Sequence, residues 1–196
     1  MPLINPIVSD QNGSRQETYP LSIETSSLEA LIRYIFETHW QSIVFGPIIE
    51  GGAYEFRCPN APRSITMFDG YLTVHFGGTH FHLCIGDNQG SPSSPTPIPL
   101  KNIRRTSRAE IMRGFDSAGA PIMWQLRMFN GEGTPQLNIF FPNPFLTDED
   151  QIADIPDWSR LKVWNDIAMR FLGREIAEDP LDRSGTGFKV PVKVDH

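Results

Sequence analysis

The chain has 196 residues, 39% of them apolar and 20% charged, a balance that suits one buried core and offers no obvious room for two independent ones. A formal net charge of -6, from 23 acidic and 17 basic side chains, opposes approach to a phosphate backbone and argues against nucleic acid as a partner. No run approaches the roughly 20 apolar residues that span a bilayer, residues 1–16 lack the order of a signal peptide, and two cysteines cannot build a disulfide framework, so a cytoplasmic protein with reduced thiols is expected.

Seventeen prolines and 16 glycines point to many turns rather than long helices. Residues 1–20 are polar and proline-bearing, and read as a flexible arm. A helix follows, with Ser26 and Glu29 spaced as a capping box and Leu28, Leu31, Ile32, Ile35 and Phe36 at helical spacing up to about His39 or Trp40. His39 reads as a helix-end residue, well placed against the dipole.

Beyond Gly51-Gly52 the pattern changes to period two. Tyr54 to Cys58 is the first predicted strand, followed by Ser64 to Phe68, Tyr71 to Phe76 and Thr79 to Ile85. Asp69-Gly70 and Gly77-Gly78 join the last three as hairpin turns, because primed turns need the positive φ that these residues adopt cheaply. A long Pro/Ser/Gly loop spans 86–100. Further strands are predicted over Ala109 to Asp116, Pro121 to Phe129 and Gln136 to Phe141, stopped by Pro142 and Pro144. Asp157 opens a second helix that ends at Gly173, and 174–196 read as a weakly ordered tail. This order predicts an α+β fold: a single domain over 21–173, with an antiparallel meander sheet of about six to seven strands and the N-terminal and C-terminal helices on one face.

The two turns fix a register. The Gly77-Gly78 turn pairs His75 with His80, Thr73 with His82 and Tyr71 with Cys84, and the Asp69-Gly70 turn independently pairs Ser64 with His75 and Thr66 with Thr73. Alternation then sends Leu72, Val74, Phe76, Phe81, Leu83 and Ile85 to one face and Tyr71, Thr73, His75, His80, His82 and Cys84 to the other. Opposed Cβ atoms lie about 5 Å apart and i, i+2 neighbours about 6.8 Å, from which three imidazoles can converge. His75, His80 and His82 are therefore candidate ligands for a transition metal, zinc or iron first, or for haem, with Cys84 a strained secondary donor. Two other readings stay open: a polar pocket without metal, its histidines held by Ser64, Thr66 and Thr73, and a solvated or subunit-facing surface. The chain has no H-E-x-x-H, no C-x-x-C, no G-x-S-x-G and no phosphate-binding glycine loop, which removes the best-known enzyme assignments and leaves any catalytic residues unknown.

If the second group of strands extends the histidine sheet, Gln125, Arg127 and Asn138 share its histidine side. With Tyr71 and Thr73 they could orient a small anionic ligand or a haem propionate. An ion pair of Arg127 with Glu110 is the competing reading, and Arg104, Arg105 and Arg108 read as a solvated basic cluster.

The strings HFGGTHFHLCIG at 75–86, WQLRMFNGEG at 124–133 and LNIFFPNPF at 137–145 resemble signatures of an uncharacterised bacterial family of unknown function. The resemblance implies no activity and no catalytic residues. It does imply that the histidine hairpin and the Phe129-Asn130-Gly131 turn belong to one recurring unit. The leading expectation is a metal- or haem-binding protein, and the rival is a non-enzymatic binding or homo-oligomeric assembly module with a histidine-lined pocket.

Overall fold

The computed structural model describes residues 5–9, 15–177 and 180–189. The remaining parts of the expected arm and tail lie outside the described residues. In chain order the elements begin with β1 (Val8–Ser9), β2 (Arg15–Pro20), α1 (Thr25–Thr38), β3 (Val44–Gly46), β4 (Ile48–Ile49), β5 (Gly52–Ala53) and β6 (Phe56–Arg57). The three longer strands of the hairpin region follow: β7 (Ser64–Phe68), β8 (Tyr71–His75) and β9 (His80–Cys84). Then come β10 (Gly90–Ser91), β11 (Ser94–Pro95), α2 (Ile98–Arg104), β12 (Arg108–Phe115), β13 (Pro121–Phe129), β14 (Pro135–Phe140) and α3 (Lys162–Ile167).

The fold is α+β, with an antiparallel sheet of seven strands in the order β1-β2-β12-β13-β14-β3-β6. The histidine strands are not part of it. They form a separate three-stranded sheet, β7-β8-β9, so the strands of the expected single meander fall in two different sheets, beside the small pairs β4-β5 and β10-β11. At the end of β9 the Thr106 N–H and hydroxyl both donate to the Cys84 carbonyl at 2.9 and 3.1 Å. The chain returning from the long loop thus satisfies an edge carbonyl of β9 just before β12 begins.

By its internal contacts the chain divides into two compact units, one of 19–111 with 125–141 and the other of 1–18, 112–124 and 142–196. In the first, α1 buries Leu28, Leu31, Ile32, Ile35 and Phe36, the stripe expected from its spacing. The Phe36 ring meets Phe45, Phe76 and Phe81 with centroids 5.1 to 6.1 Å apart, in tilted or edge-to-face contacts that add to simple burial. The capping box does not form: the helix starts a residue before Ser26, after Glu24, with no side-chain cap. Gly46 permits a close approach, since a Cβ there would lie 1.8 Å from the Tyr54 carbonyl oxygen.

In the second unit, Glu17 on β2, a strand within the span read as an arm, accepts from Arg113 Nε at 2.5 Å. Arg113 also donates to Asp182 at 2.8 Å and to the Ala177 carbonyl at 3.1 Å. All three charged residues are buried, as a well-bonded ion network allows. The helix expected from Asp157 is a composite: one 3₁₀ turn over Trp158–Leu161, the α-helical α3, and a π-helical stretch over Ala168–Leu172. Asp157 caps it through the Ser159 N–H; the Ser159 hydroxyl, and after it that N–H, donate to its carboxyl and hold it below the usual range, and Gly173 ends the stretch at φ 68°.

The 86–100 loop also holds more structure than its composition suggested. Gly90, the first residue of β10, takes φ 77° opposite Pro95 of β11, and α2 begins after Pro97. None of α2's residues is buried, so it carries no apolar stripe for a periodicity argument to find.

Candidate functional site

The hairpin register is the one expected. Ser64, Ile65, Thr66 and Met67 pair with His75, Val74, Thr73 and Leu72 across one turn, and His75, Val74, Thr73, Leu72 and Tyr71 pair with His80, Phe81, His82, Leu83 and Cys84 across the other. Asp69 at φ 46° and Gly70 at φ 80° supply the left-handed pair that a tight hairpin turn requires.

The Phe76 N–H donates to the Thr79 carbonyl at 2.9 Å, so the next pair, His75 with His80, is a non-hydrogen-bonded one, and so is Thr73 with His82. In such pairs the side chains approach closely, and the backbone N–H and C=O turn away from the partner strand. Both consequences are seen. The His75 and His80 rings stack at 5.6 Å and 22°, and His80 meets His82 edge-on at 5.0 Å and 74°. The Thr73 hydroxyl lies 2.7 Å from His82 Nδ1, and the Gly77 N–H donates to His75 Nδ1 at 3.2 Å. The structure thus brings the three histidines into one cluster. Among the described residues, however, no group of three or more His, Cys, Asp or Glu side chains is placed to hold a metal ion.

The backbone groups of His80 and His82 point to the free edge of β9, and a cavity of about 590 Å³ lies along it. The consecutive residues Thr79 to Leu83 all border it, which only the edge of a strand allows, since its two faces carry alternate side chains. The facing walls are Phe45, Gly46 and Pro47 at β3, Phe56, Arg57 and Pro59 around β6, and Gln136 and Leu137 on β14. Tyr54 and Phe56 stack 6.4 Å apart, both about half exposed. Exposed aromatic surface beside a cleft is the usual mark of a binding site rather than of a core.

The sequence did not single out this opposing wall. β3 has only three residues, too short for a period-two pattern to stand out, and β6 falls inside the strand expected over Tyr54 to Cys58, which nothing in the pattern placed opposite the histidines. The exposed aromatics of the Tyr54-Glu55-Phe56-Arg57 string were the one legible hint.

The other candidates fall elsewhere. Cys84 is buried, its Sγ–H aimed at the Gly86 carbonyl at 3.7 Å; burial pushes its thiol up, only partly offset by Arg104. A metal needs the thiolate, which this environment opposes. Burial likewise raises Tyr71, which is hydrogen-bonded to Cys84. Gln125, Arg127 and Asn138 lie in the seven-stranded sheet rather than on the histidine sheet. There Asn138 donates to Gln125 at 3.1 Å, and Arg127 donates to the buried Glu110 at 2.5 Å. Arg108 stacks 3.7 Å over the Phe129 ring and stands 3.8 Å from the same Glu110. The ion-pair reading of Arg127 is the one the structure shows.

No helix among the described residues is long and apolar enough to cross a membrane. In comparison with known proteins, the family described as "Family of unknown function (DUF7676)" matches residues 5–173. No curated protein matches the chain. Among solved structures it is similar to "Crystal structure of ChuX", at 14% identity and a TM-score of 0.42, covering 78% of this chain and 74% of that one.

Proposed function

We propose, for a chain that belongs to the family of unknown function DUF7676 over residues 5–173, that the cavity along β9 binds an apolar, flat cofactor of the haem type through a histidine of the His75, His80, His82 cluster. One observation carries this reading: a cavity of about 590 Å³, walled by Phe45, Phe56, Phe76, Phe81 and Leu137, is bordered by His80 and His82. The volume falls within the roughly 300–1,000 Å³ of small-molecule sites, which pair apolar walls with a few polar groups. Haem brings most of its iron ligands with it, so a protein that held it would supply one side-chain nitrogen, an apolar slot and a cation for the propionates. His80 or His82, the phenylalanine walls and Arg57 match those three demands. Haem, when bound, would supply one-electron and oxygen chemistry, and His80 or His82, the phenylalanine walls and Arg57 would hold and orient it.

A second reading keeps the cavity and drops the metal. One ring nitrogen of His75 and one of His82 are already hydrogen-bonded within the protein, which suits a pocket for an apolar small molecule bearing an anionic group. A zinc or iron ion held by all three histidines fits less well, for the same reason.

Titration of ferric haem into protein carrying no histidine tag separates these. The expected result is a saturable Soret shift that His80→Ala/His82→Ala loses. A titration without saturation, or one unchanged in that variant, overturns the haem reading, and zinc or iron retained at stoichiometry would point to the bare ion instead. We further propose that residues 21–173 belong to a single cytoplasmic domain. Since Glu17 and Asp182 bond Arg113 from outside those bounds, limited proteolysis is expected to leave one fragment that contains 21–173 and keeps both acids, and two separately stable pieces from within 21–173 would contradict the single domain.

A further inference from the structure

The three histidines differ in what their ring nitrogens can offer. At His75, Nδ1 faces the Gly77 N–H at 3.2 Å. A backbone amide only donates, so Nδ1 is the unprotonated nitrogen, and in the neutral ring the proton lies on Nε2. Neither nitrogen then presents a lone pair to a metal. His75 instead ties β8 to the Gly77-Gly78 turn.

At His82 the partner is a hydroxyl, with Thr73 Oγ1 at 2.7 Å from Nδ1. A hydroxyl can accept. If Nδ1 carries the proton and donates it to Thr73, the Nε2 lone pair is open, which is the arrangement that orients metal-bound histidines and raises their basicity. The pairing is built into the sheet, because Thr73 and His82 are directly opposed in a non-hydrogen-bonded pair. His80 sits between the other two rings, packed against both.

Resting on the haem reading above, the geometry points to His82 as the donor to the iron and to Thr73 as the positioning residue that keeps its Nε2 open. The cluster thus becomes one donor, one structural ring at His75 and one packing ring at His80.

Two measurements test this. Long-range ¹⁵N–¹H NMR of the ligand-free protein reads the tautomers: His82 is expected to be protonated on Nδ1 and His75 on Nε2. Haem titrations then compare Thr73→Val, which is isosteric but cannot accept a hydrogen bond, with Thr73→Ser. Thr73→Val is expected to weaken haem binding about 10- to 100-fold, the usual effect of removing the group behind a ligating histidine, and Thr73→Ser to restore most of it. His82→Ala is expected to lose the axial-histidine spectrum, while His75→Ala and His80→Ala keep it. A His82 ring protonated on Nε2, or a Thr73→Val protein that binds haem like the unmodified chain, overturns the assignment while leaving haem binding standing. If the unmodified protein takes up no haem, the haem reading fails and the donor role with it, and the tautomer spectrum still decides whether Thr73 holds the ring.

Discussion

Arg127 donates from Nη2 to Glu110 Oε1 at 2.5 Å, with side-chain exposures of 17% and 6%. A guanidinium held this way belongs to the sheet rather than to a ligand. Removing one member of a buried pair costs up to about 3–5 kcal/mol, and here the loss is moderated by Arg108, which stands 3.8 Å from the same Glu110. Arg127→Ala is therefore expected to lower the urea midpoint by an amount of that order, and Arg127→Ala/Glu110→Gln to recover part of it. Haem affinity per folded molecule is expected to be unchanged in both, whereas a selective loss of affinity would return Arg127 to the site.

The Glu17, Arg113, Asp182 network makes the same argument for the other unit. Arg113 bonds two buried carboxylates and one carbonyl, so Arg113→Ala strands both acids and is expected to cost about 3–5 kcal/mol in a denaturation experiment. Adding Glu17→Gln and Asp182→Asn to Arg113→Met, which replaces the charges by neutral groups, is expected to regain much of that loss. A null effect of Arg113→Ala would show the ion pairs to be incidental.

The aromatic contacts of α1 give a larger effect. Phe36 is fully buried and touches the rings of Phe45, Phe76 and Phe81. Phe36→Ala is expected to destabilise by about 3–5 kcal/mol through lost burial and a residual cavity. A cost below about 1 kcal/mol would mean that the helix does not rest on that cluster.

Burial pushes the half-buried Cys58 thiol up to about 12 from an ordinary 9.0. The sign follows from linkage: between those values the folded state keeps a proton that the unfolded chain has lost. The stabilisation is complete below pH 9 and declines as pH rises towards 12. Alkylation of Cys58 by iodoacetamide at pH 8 is expected to be slow in the native protein and fast in urea. Native-state alkylation at the rate of a free thiol would contradict this.

Most of the hairpin was legible because its information is local. Asp69-Gly70 and Gly77-Gly78 prescribe turns, and a period-two pattern leaves one register that buries Leu72, Val74 and Leu83. The apolar stripe of α1 was legible for the same reason. The division into two sheets was not, because nothing in the strand patterns says which strand pairs with which. Long-range contacts such as the bond from Thr106 to Cys84, across the 86–100 loop, have no local signature. The cavity was the least visible feature, since its far wall comes from the short strands β3 and β6 and from Leu137. These residues are brought to the histidine edge by strand order, not by spacing. Placing Arg127 and Asn138 beside the histidines failed on the same point, since it assumed a single sheet.

The central claim is that haem occupies the cavity beside β9. Leu83 lines that cavity and is buried on the core side of β9, so Leu83→Trp adds bulk there without touching a histidine. The direct test is ferric-haem titration of the unmodified chain and of Leu83→Trp, followed at the Soret band, with circular dichroism confirming that both are folded. The account requires saturable, stoichiometric binding by the unmodified chain and a loss of most affinity in Leu83→Trp. Equal binding by a folded Leu83→Trp protein, or no saturable binding by the unmodified chain, would contradict it.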